Sequence, residues 1–471
     1  MKFHPAALML MTWAGAFALF FILPFNLVGR TMSLYGLMVL GLFIGAFCAG
    51  SLIASRPFPQ APIDPRVRVN WRRADQILLV AGSLAIFAFL MDSVDKNVFD
   101  LASAYSERSD RATDLLNGAA SDSTIWFQIG FLFYPASYVF LVREIAFQPR
   151  PKIWRMGIFG VLPSLLAALS MGGRIGLLYI IIYAAFGYLL RQRVFPASTT
   201  RPRAPAPHRQ AGPAALRPRA RPRKKVLQLG MGSKLTLGVL SALSMFYFIQ
   251  VFITRAETSG GIESIFGRVG LNWGVSFDGH FSSLYYNLFG VEGTYLIFVF
   301  AWYMIQGIVM SNTIFTDYDG PMLMGTYGMD MVSAVMRRLN GDFVGDGFAR
   351  LLRMNVYGFL PSAFGSLYVD LKFFGLIPSL IWGWLVGFVY RKIRSGTDPR
   401  YLLLSPFIVV SILFSLNNTP VGLSNGLMLH FWLLLAFFLT QTVRVQNAET
   451  ADVNRGRTVD SRKLGNQLKR V

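Results

Sequence analysis

Apolar stretches long enough to cross a bilayer recur from one end of the chain to the other, and they constrain its folding more than any other feature. A helix needs roughly 20 apolar residues to span the hydrocarbon core. Ten segments read as such spans: Ala6–Leu27, Thr31–Ala54, Gln76–Met91, Thr124–Val142, Arg155–Ser170, Ile175–Leu190, Leu235–Ile253, Leu371–Tyr390, Tyr401–Leu416 and Leu427–Gln441. Several are short, so their ends are placed only to within a few residues. Of the 471 residues 54% are hydrophobic and 15% charged, too little charge to cover a soluble protein of this length. The first run, directly after Met1–Pro5, is too long for a cleaved signal and lacks a convincing cleavage site, so it reads as the first span. The expected fold is an all-α polytopic membrane bundle of roughly 10–12 transmembrane helices with one large outer loop.

Lysine and arginine set the orientation of such a bundle, because loops that hold them stay in the cytoplasm. Arg56, Arg66, Arg68, Arg72 and Arg73 lie between spans two and three, and Arg143, Arg150, Lys152 and Arg155 between spans four and five. Arg191–Lys234 holds twelve basic residues and no acid; Arg391, Lys392, Arg394 and Arg400 follow span eight. The alternate loops are acidic: Asp92–Ser123 has seven acids against three bases, and Thr254–Asp370 ten against six. Both termini are therefore expected inside. In this scheme residues 1–190 carry six helices with a short outer loop at 92–123. Residues 191–234 form a basic linker, 235–253 the seventh span, 254–370 the large membrane-associated outer loop, 371–443 the C-terminal spans and 444–471 a basic tail. Arg143 reads here as an ordinary orientation-setting cation that lysine could replace. One run breaks the alternation: Thr294–Met310 is apolar, yet a single crossing there would invert everything downstream. It is expected to re-enter or lie in the interface rather than pair with a weaker span near Pro321–Leu339.

The Arg191–Lys234 segment is rich in proline and arginine and is expected to be disordered. Its charge suits membrane lipids as a partner, and with no folded aromatic platform beside it nucleic acid is not expected. Cys48, the single cysteine, lies in an apolar run and excludes an intramolecular disulfide. Gly230–Lys234 lacks the spacing of a phosphate-binding loop, and no zinc-ligand motif is present. The spans carry no chain of buried acids or lysines as in a proton-coupled pump; His430 reads as a satisfied core histidine. No cofactor and no metal are expected, although Asp317 and Asp319 formally make a D-x-D pair.

The chemistry is then expected in the outer loops, the longer of which exceeds an ordinary connector. His280, Asp278 and Glu257 are, in that order, the candidates for a catalytic base, each equally readable as a solvated loop residue. Arg174, after two glycines in the turn between spans five and six, and Arg255, at the outer end of span seven, sit at membrane depth. They either snorkel to headgroups or capture a lipid pyrophosphate, whose oxygens match the guanidinium fork. Arg268, Arg350, Arg353 and Tyr357 are further candidates for holding that group.

Asn355–Gly387 resembles the oligosaccharide repeat-unit polymerases, the Wzy-type O-antigen and capsule polymerases. The resemblance rests on an N-x-Y segment, Asn355 and Tyr357, followed by D-x-x-x-x-G, Asp370 and Gly375, at the start of the next span. Gly172–Arg174 is similar to the small-residue-plus-arginine motif of that family and of the O-antigen ligases. Where the family commonly has Phe-Gly after the aspartate, this chain has Leu371-Lys372. The resemblance implies a metal-independent glycosyltransferase of the bacterial inner membrane, active on the periplasmic face. Its partners would be undecaprenyl-pyrophosphate-linked glycan donor and acceptor and a chain-length regulator protein. The alternatives are an O-antigen ligase, which transfers the glycan to lipid A core, and a metal-dependent lipid-phosphate-sugar transferase using Asp317 and Asp319.

Overall fold

The computed structural model describes residues 3–22, 25–27, 32–56, 67–94, 124–170, 175–195, 249–254, 256–257, 260–273, 275–277, 279–329, 342–356, 360–422 and 425–444, with isolated positions at 242, 245–246 and 332. Arg174, Arg255, Asp278, Tyr357 and nearly all of the basic linker and span seven lie outside them. Among the described residues eight helices are long and apolar enough to cross a membrane.

The first six run up and down. They are α1 (Pro5–Ile22), α2 (Leu34–Ser55), α3 (Arg72–Val94), α4 (Ile125–Phe147), α5 (Ile153–Ser170) and α6 (Ile175–Val194). Side chains at their ends fix the alternation. His4 bonds Ser55 at 2.7 Å, joining the start of α1 to the end of α2. Asp92, late in α3, accepts from Thr124 before α4 and from Ser170 at the end of α5. Arg191, late in α6, donates to the carbonyls of Ile145, Gln148 and Pro149 where α4 finishes. Helix α1 stops at Ile22, short of the expected Leu27, and Phe25–Leu27 forms a strand β1 instead.

A second strand, β2 (Val67–Asn70), pairs antiparallel with a C-terminal strand, Gln441–Arg444. That pairing gathers one basic end of the bundle, where Arg400 donates to Thr440 and Arg394 to Tyr390. The opposite end is where α1 finishes and α2 begins.

The stretch expected as one outer loop is largely helical. It contains α7 (Ile262–Trp273), β3 (Val275–Phe277), α8 (Gly279–Asp317), α9 (Asp342–Arg353) and α10 (Ser362–Leu371). Connectivity decides how α8 runs. Strand β3 pairs with β1, so α8 starts beside the end of α1, and Asn312 exchanges hydrogen bonds with the backbone of Ser33 at the start of α2. A straight helix from 279 to 312 would measure about 50 Å, whereas the link from Phe25 to Ser33 reaches at most ~28 Å. The helix must therefore bend, and it does so at Gly290, with φ 70° and ψ −177°, a conformation only glycine adopts freely. Both tethers lie beside the α1–α2 link, and the stretch Ser283–Asp317 is one of the helices long and apolar enough to cross a membrane.

Helix α10 also turns back. The rings of Phe364 and Trp382 are 6.3 Å apart, against about 27 Å along a straight helix. The reversal falls at Lys372–Gly375, a 3-10 turn opened by Lys372 at φ 50°. From it α11 (Leu376–Ser395) descends along α2 so closely that a side chain at Gly383 or Gly387 would strike the backbone of Phe47 or Ser51. This G-x-x-x-G seam lets two apolar helices associate through backbone contact in lipid. Helices α12 (Tyr401–Leu413) and α13 (Gly426–Leu439) and strand β4 (Gln441–Arg444) complete the fold. The buried side chains form two cores. One joins α1, α2 and α8–α11 and takes Ile412 from α12; the other joins α3–α6 with the rest of α12 and α13; Ile408 touches both.

Candidate functional site

At the end opposite the basic one, three segments meet around a buried carboxylate. Asp370, the last acid of α10, is 3% exposed. Its Oδ1 accepts the Tyr327 N–H at 2.9 Å and its Oδ2 the Gly328 N–H at 2.8 Å. A side chain at Gly328 would collide with that carboxylate, so the close approach requires glycine. The backbone continues the grip, with Leu323 N–H donating to Val369 O and Met324 N–H to Asp370 O. The loop after α12 closes the third side: Thr419 Oγ1 donates to Gly328 O at 3.1 Å, and Ser366 Oγ to Asn418 Oδ1 at 3.2 Å. A buried carboxylate with both oxygens bonded by backbone donors holds the Tyr327–Gly328 loop against the end of α10.

The residues immediately outward carry exchangeable charge. Lys372 donates to Tyr318 O at 2.6 Å, and its ammonium lies 3.8 Å from the Tyr318 ring centroid and 5.2 Å from that of Tyr368. Arg350 forms an ion pair with Asp319. Helix α9 brings it there because Phe348 and Leu351 bury one face while Asp346, Arg350 and Arg353 line the other. The Arg350 guanidinium holds the Asp319 carboxyl below the usual carboxylate range, and the pairing raises Arg350 in turn. Burial, with Asp370 nearby, pushes the Tyr318 phenol well above its ordinary value, so it stays a neutral donor to Pro321 O.

Of the residues expected to act, the structure brings Arg350 into this cluster and leaves Arg353 exposed on the same face of α9. Glu257 is exposed in a separate segment. His280 and Arg268 are placed by their backbones alone, on α8 and α7. Asp278, Arg174, Arg255 and Tyr357 lie outside the described residues. Asp319, half of the D-x-D, is engaged by Arg350, and among the described residues no three acids, histidines or cysteines gather as a metal site. Lys372 and Tyr318 were not anticipated; the sequence sign was a lysine interrupting an apolar run just after Asp370.

A second charged cluster lies at the basic end. Arg143, 4% exposed, bridges Asp75 at 2.5 Å and Glu144 at 2.7 Å, while Lys152 N–H and Arg155 also approach Glu144. The helices run past the expected spans and so take in Asp75, Asp92 and Glu144. Arg143 is thus a buried bridge, not a free surface cation. His430 is a satisfied core histidine, its Nδ1 2.8 Å from Gly426 O.

Fold and clusters together define a multi-pass α-helical membrane protein. No protein-family model, no curated protein and no solved structure matches the chain.

Proposed function

We propose that this protein is a metal-independent membrane glycosyltransferase that polymerises undecaprenyl-pyrophosphate-linked repeat units into O-antigen, capsule or exopolysaccharide. The carrying observation is the pair of cations Arg350 and Lys372, with Arg353 exposed on the same face of α9, at the end of the bundle opposite the basic one. Charge that sets orientation belongs on the cytoplasmic side, which makes the basic end cytoplasmic and leaves these three needing another purpose. An anionic amphiphile supplies one. A lipid pyrophosphate arrives through the bilayer at headgroup depth, and guanidinium and ammonium groups stabilise the charge that grows on it as the glycosidic carbon is attacked. Pyrophosphate is already a good leaving group, so the cations suffice without a metal. Arg350 is paired at the surface, where Asp319 can give way to a phosphate oxygen at small cost. The acceptor hydroxyl needs a base, for which His280, Asp278 and Glu257 are the candidates.

The test is surface-glycan banding in cells lacking the gene. A polymerase leaves lipid A core carrying one repeat; bare core instead identifies a ligase, and an unchanged ladder overturns the proposal. Complementation with Arg350→Ala is expected to leave the single-repeat band.

A further inference from the structure

Lys372 is followed directly by two exposed aromatic side chains, Phe373 and Phe374, and then by α11. Phe373 packs edge-on against Tyr368, one of the two rings beside the Lys372 ammonium. The Tyr368 hydroxyl in turn bonds that of Tyr35, which is exposed at the start of α2. A tyrosine exposed at the end of a membrane helix marks the level of the headgroups, because its ring is apolar and its hydroxyl is wet. The cations beside it therefore stand at headgroup depth. What lies inward of them along α11 meets hydrocarbon.

Below the turn α11 presents one apolar stripe to the outside. Phe374, Ile377, Ile381, Trp384 and Leu385 recur at helical spacing and all are exposed, Phe374 at 65% and Ile377 at 59%. Ser379 is turned inward and donates to Phe43 O of α2, so no hydroxyl interrupts the stripe. The opposite side of the helix is closed by the contacts of Gly383 and Gly387 with α2. An apolar face has no preference of its own among lipid tails, since all are equally apolar. A head group that is held does create one. An amphiphile with its phosphates on Lys372 and Arg350 leads its tail into the bilayer beside Phe374, two residues on, and a long polyprenyl chain stays in the hydrocarbon. We infer that the polyprenyl tail of the lipid-linked substrate runs along this stripe of α11, from Phe374 to Leu385, while Lys372 and Arg350 hold its pyrophosphate. The glycan, attached on the far side of the pyrophosphate, then points out of the membrane. The inference rests on the glycosyltransferase reading and adds the helix face at which the substrate docks.

The test places a benzophenone amino acid at Ile377 or Ile381 and, for comparison, at Leu84 or Phe87 on the exposed face of α3. The full-length protein is held in phosphatidylglycerol vesicles, radiolabelled undecaprenyl pyrophosphate is added, and the label fixed to the protein by light is measured. All four positions face outward, so the replacements should leave the fold intact, which thermal unfolding checks. Roughly tenfold more label is expected on α11 than on α3, the scale on which one charge-assisted contact shifts occupancy. Excess inorganic pyrophosphate should abolish that difference by taking the cations, and Lys372→Gln should reduce it. If Lys372→Gln fails to fold, the pyrophosphate competition decides. Equal label on both helices, more label on α3, or an excess on α11 that pyrophosphate leaves untouched overturns the inference. Label on neither helix in protein that still polymerises repeat units also overturns the inference alone. Label on neither helix in protein that does not polymerise overturns the glycosyltransferase reading with it.

Discussion

The two ends of the bundle use the same residue types to opposite effect. At the basic end Arg143, Asp75 and Glu144 are enclosed, bridged through the two terminal Arg143 nitrogens, with Glu144 also accepting from the Lys152 backbone. At the other end Arg350 meets Asp319 at the surface, where the Asp319 side chain is largely exposed. An enclosed pair cannot exchange partners, because each charge would be left uncompensated in a low dielectric. An exposed pair exchanges readily and contributes little to stability. Burial, not composition, separates a charge that holds the fold from one that can meet a ligand.

The largest expected effect tests the enclosed cluster. Glu144→Ala leaves Arg143 short of a partner and the Lys152 N–H without its acceptor, a loss of about 3–5 kcal/mol by analogy with other broken buried pairs. Purified protein should show a sharply lower unfolding midpoint or fail to accumulate in the membrane. Arg143→Lys is also expected to destabilise, since one ammonium cannot span both carboxylates as the fork does. A wild-type unfolding curve for either variant would remove the distinction between the two ends.

Next comes the mirror experiment at the exposed pair. Arg350→Ala should leave the unfolding midpoint within the scatter of repeats and lower polymer laddering, from purified protein and lipid-linked repeat units, roughly 10-fold or more. Lysine at this position keeps the charge and loses the fork, so partial activity is expected. Equal losses of stability and activity would make Arg350 a second structural bridge.

Much of this architecture is legible in the sequence because it follows from hydropathy alone. The expected spans Thr31–Ala54, Arg155–Ser170 and Ile175–Leu190 match helices Leu34–Ser55, Ile153–Ser170 and Ile175–Val194 to within a few residues. What hydropathy hides is charge neutralised by tertiary contact. Asp75, Asp92 and Glu144 truncate an apolar window, yet each lies inside a helix with a partner from another helix or loop. The four short strands were equally hidden, since residues 25–27 meet 275–277 from far along the chain. At the candidate site Arg350 was readable as an outer-loop cation. Lys372 was not, because its meaning comes from Tyr318, 54 residues away. The first-choice pyrophosphate ligands Arg174 and Arg255 lie outside the described residues, so the structure leaves their assignment where the sequence put it.

A smaller effect sharpens the exposed pair itself. If Asp319 competes with the ligand for Arg350, Asp319→Asn should tighten binding of undecaprenyl pyrophosphate by roughly 2- to 5-fold, the scale of an exposed ion pair. The same competition sets a pH dependence. The Asp319 carboxyl is held below its usual range, so its charge is present at neutral pH and lost only as pH falls through that lowered value. Between pH 7 and 5 the wild-type affinity should therefore not change on account of Asp319. Weaker binding by Asp319→Asn would instead show that the aspartate helps to hold the ligand.

The smallest expected effect lies at the basic end, in the proline- and arginine-rich linker. Orientation depends on cations close to the ends of spans, and the structure gives Arg191 a second duty there, since it ties three carbonyls at the end of α4. Deleting Pro202–Arg223 while keeping Arg191, Arg193, Lys224 and Lys225 preserves both the tie and the nearby charge. Glycan ladders should then be unchanged, and impermeant thiol labelling of cysteines placed in 92–123, in a Cys48→Ala background, should still come from the outside. The control is Arg191→Ala in the intact linker, which loses three charge-assisted bonds, each worth roughly 1.5–3 kcal/mol, and should lower the unfolding midpoint. Lost polymer in a deletion that still labels from the outside would mean that the linker engages a partner, and that exchangeable charge works at both ends of the molecule.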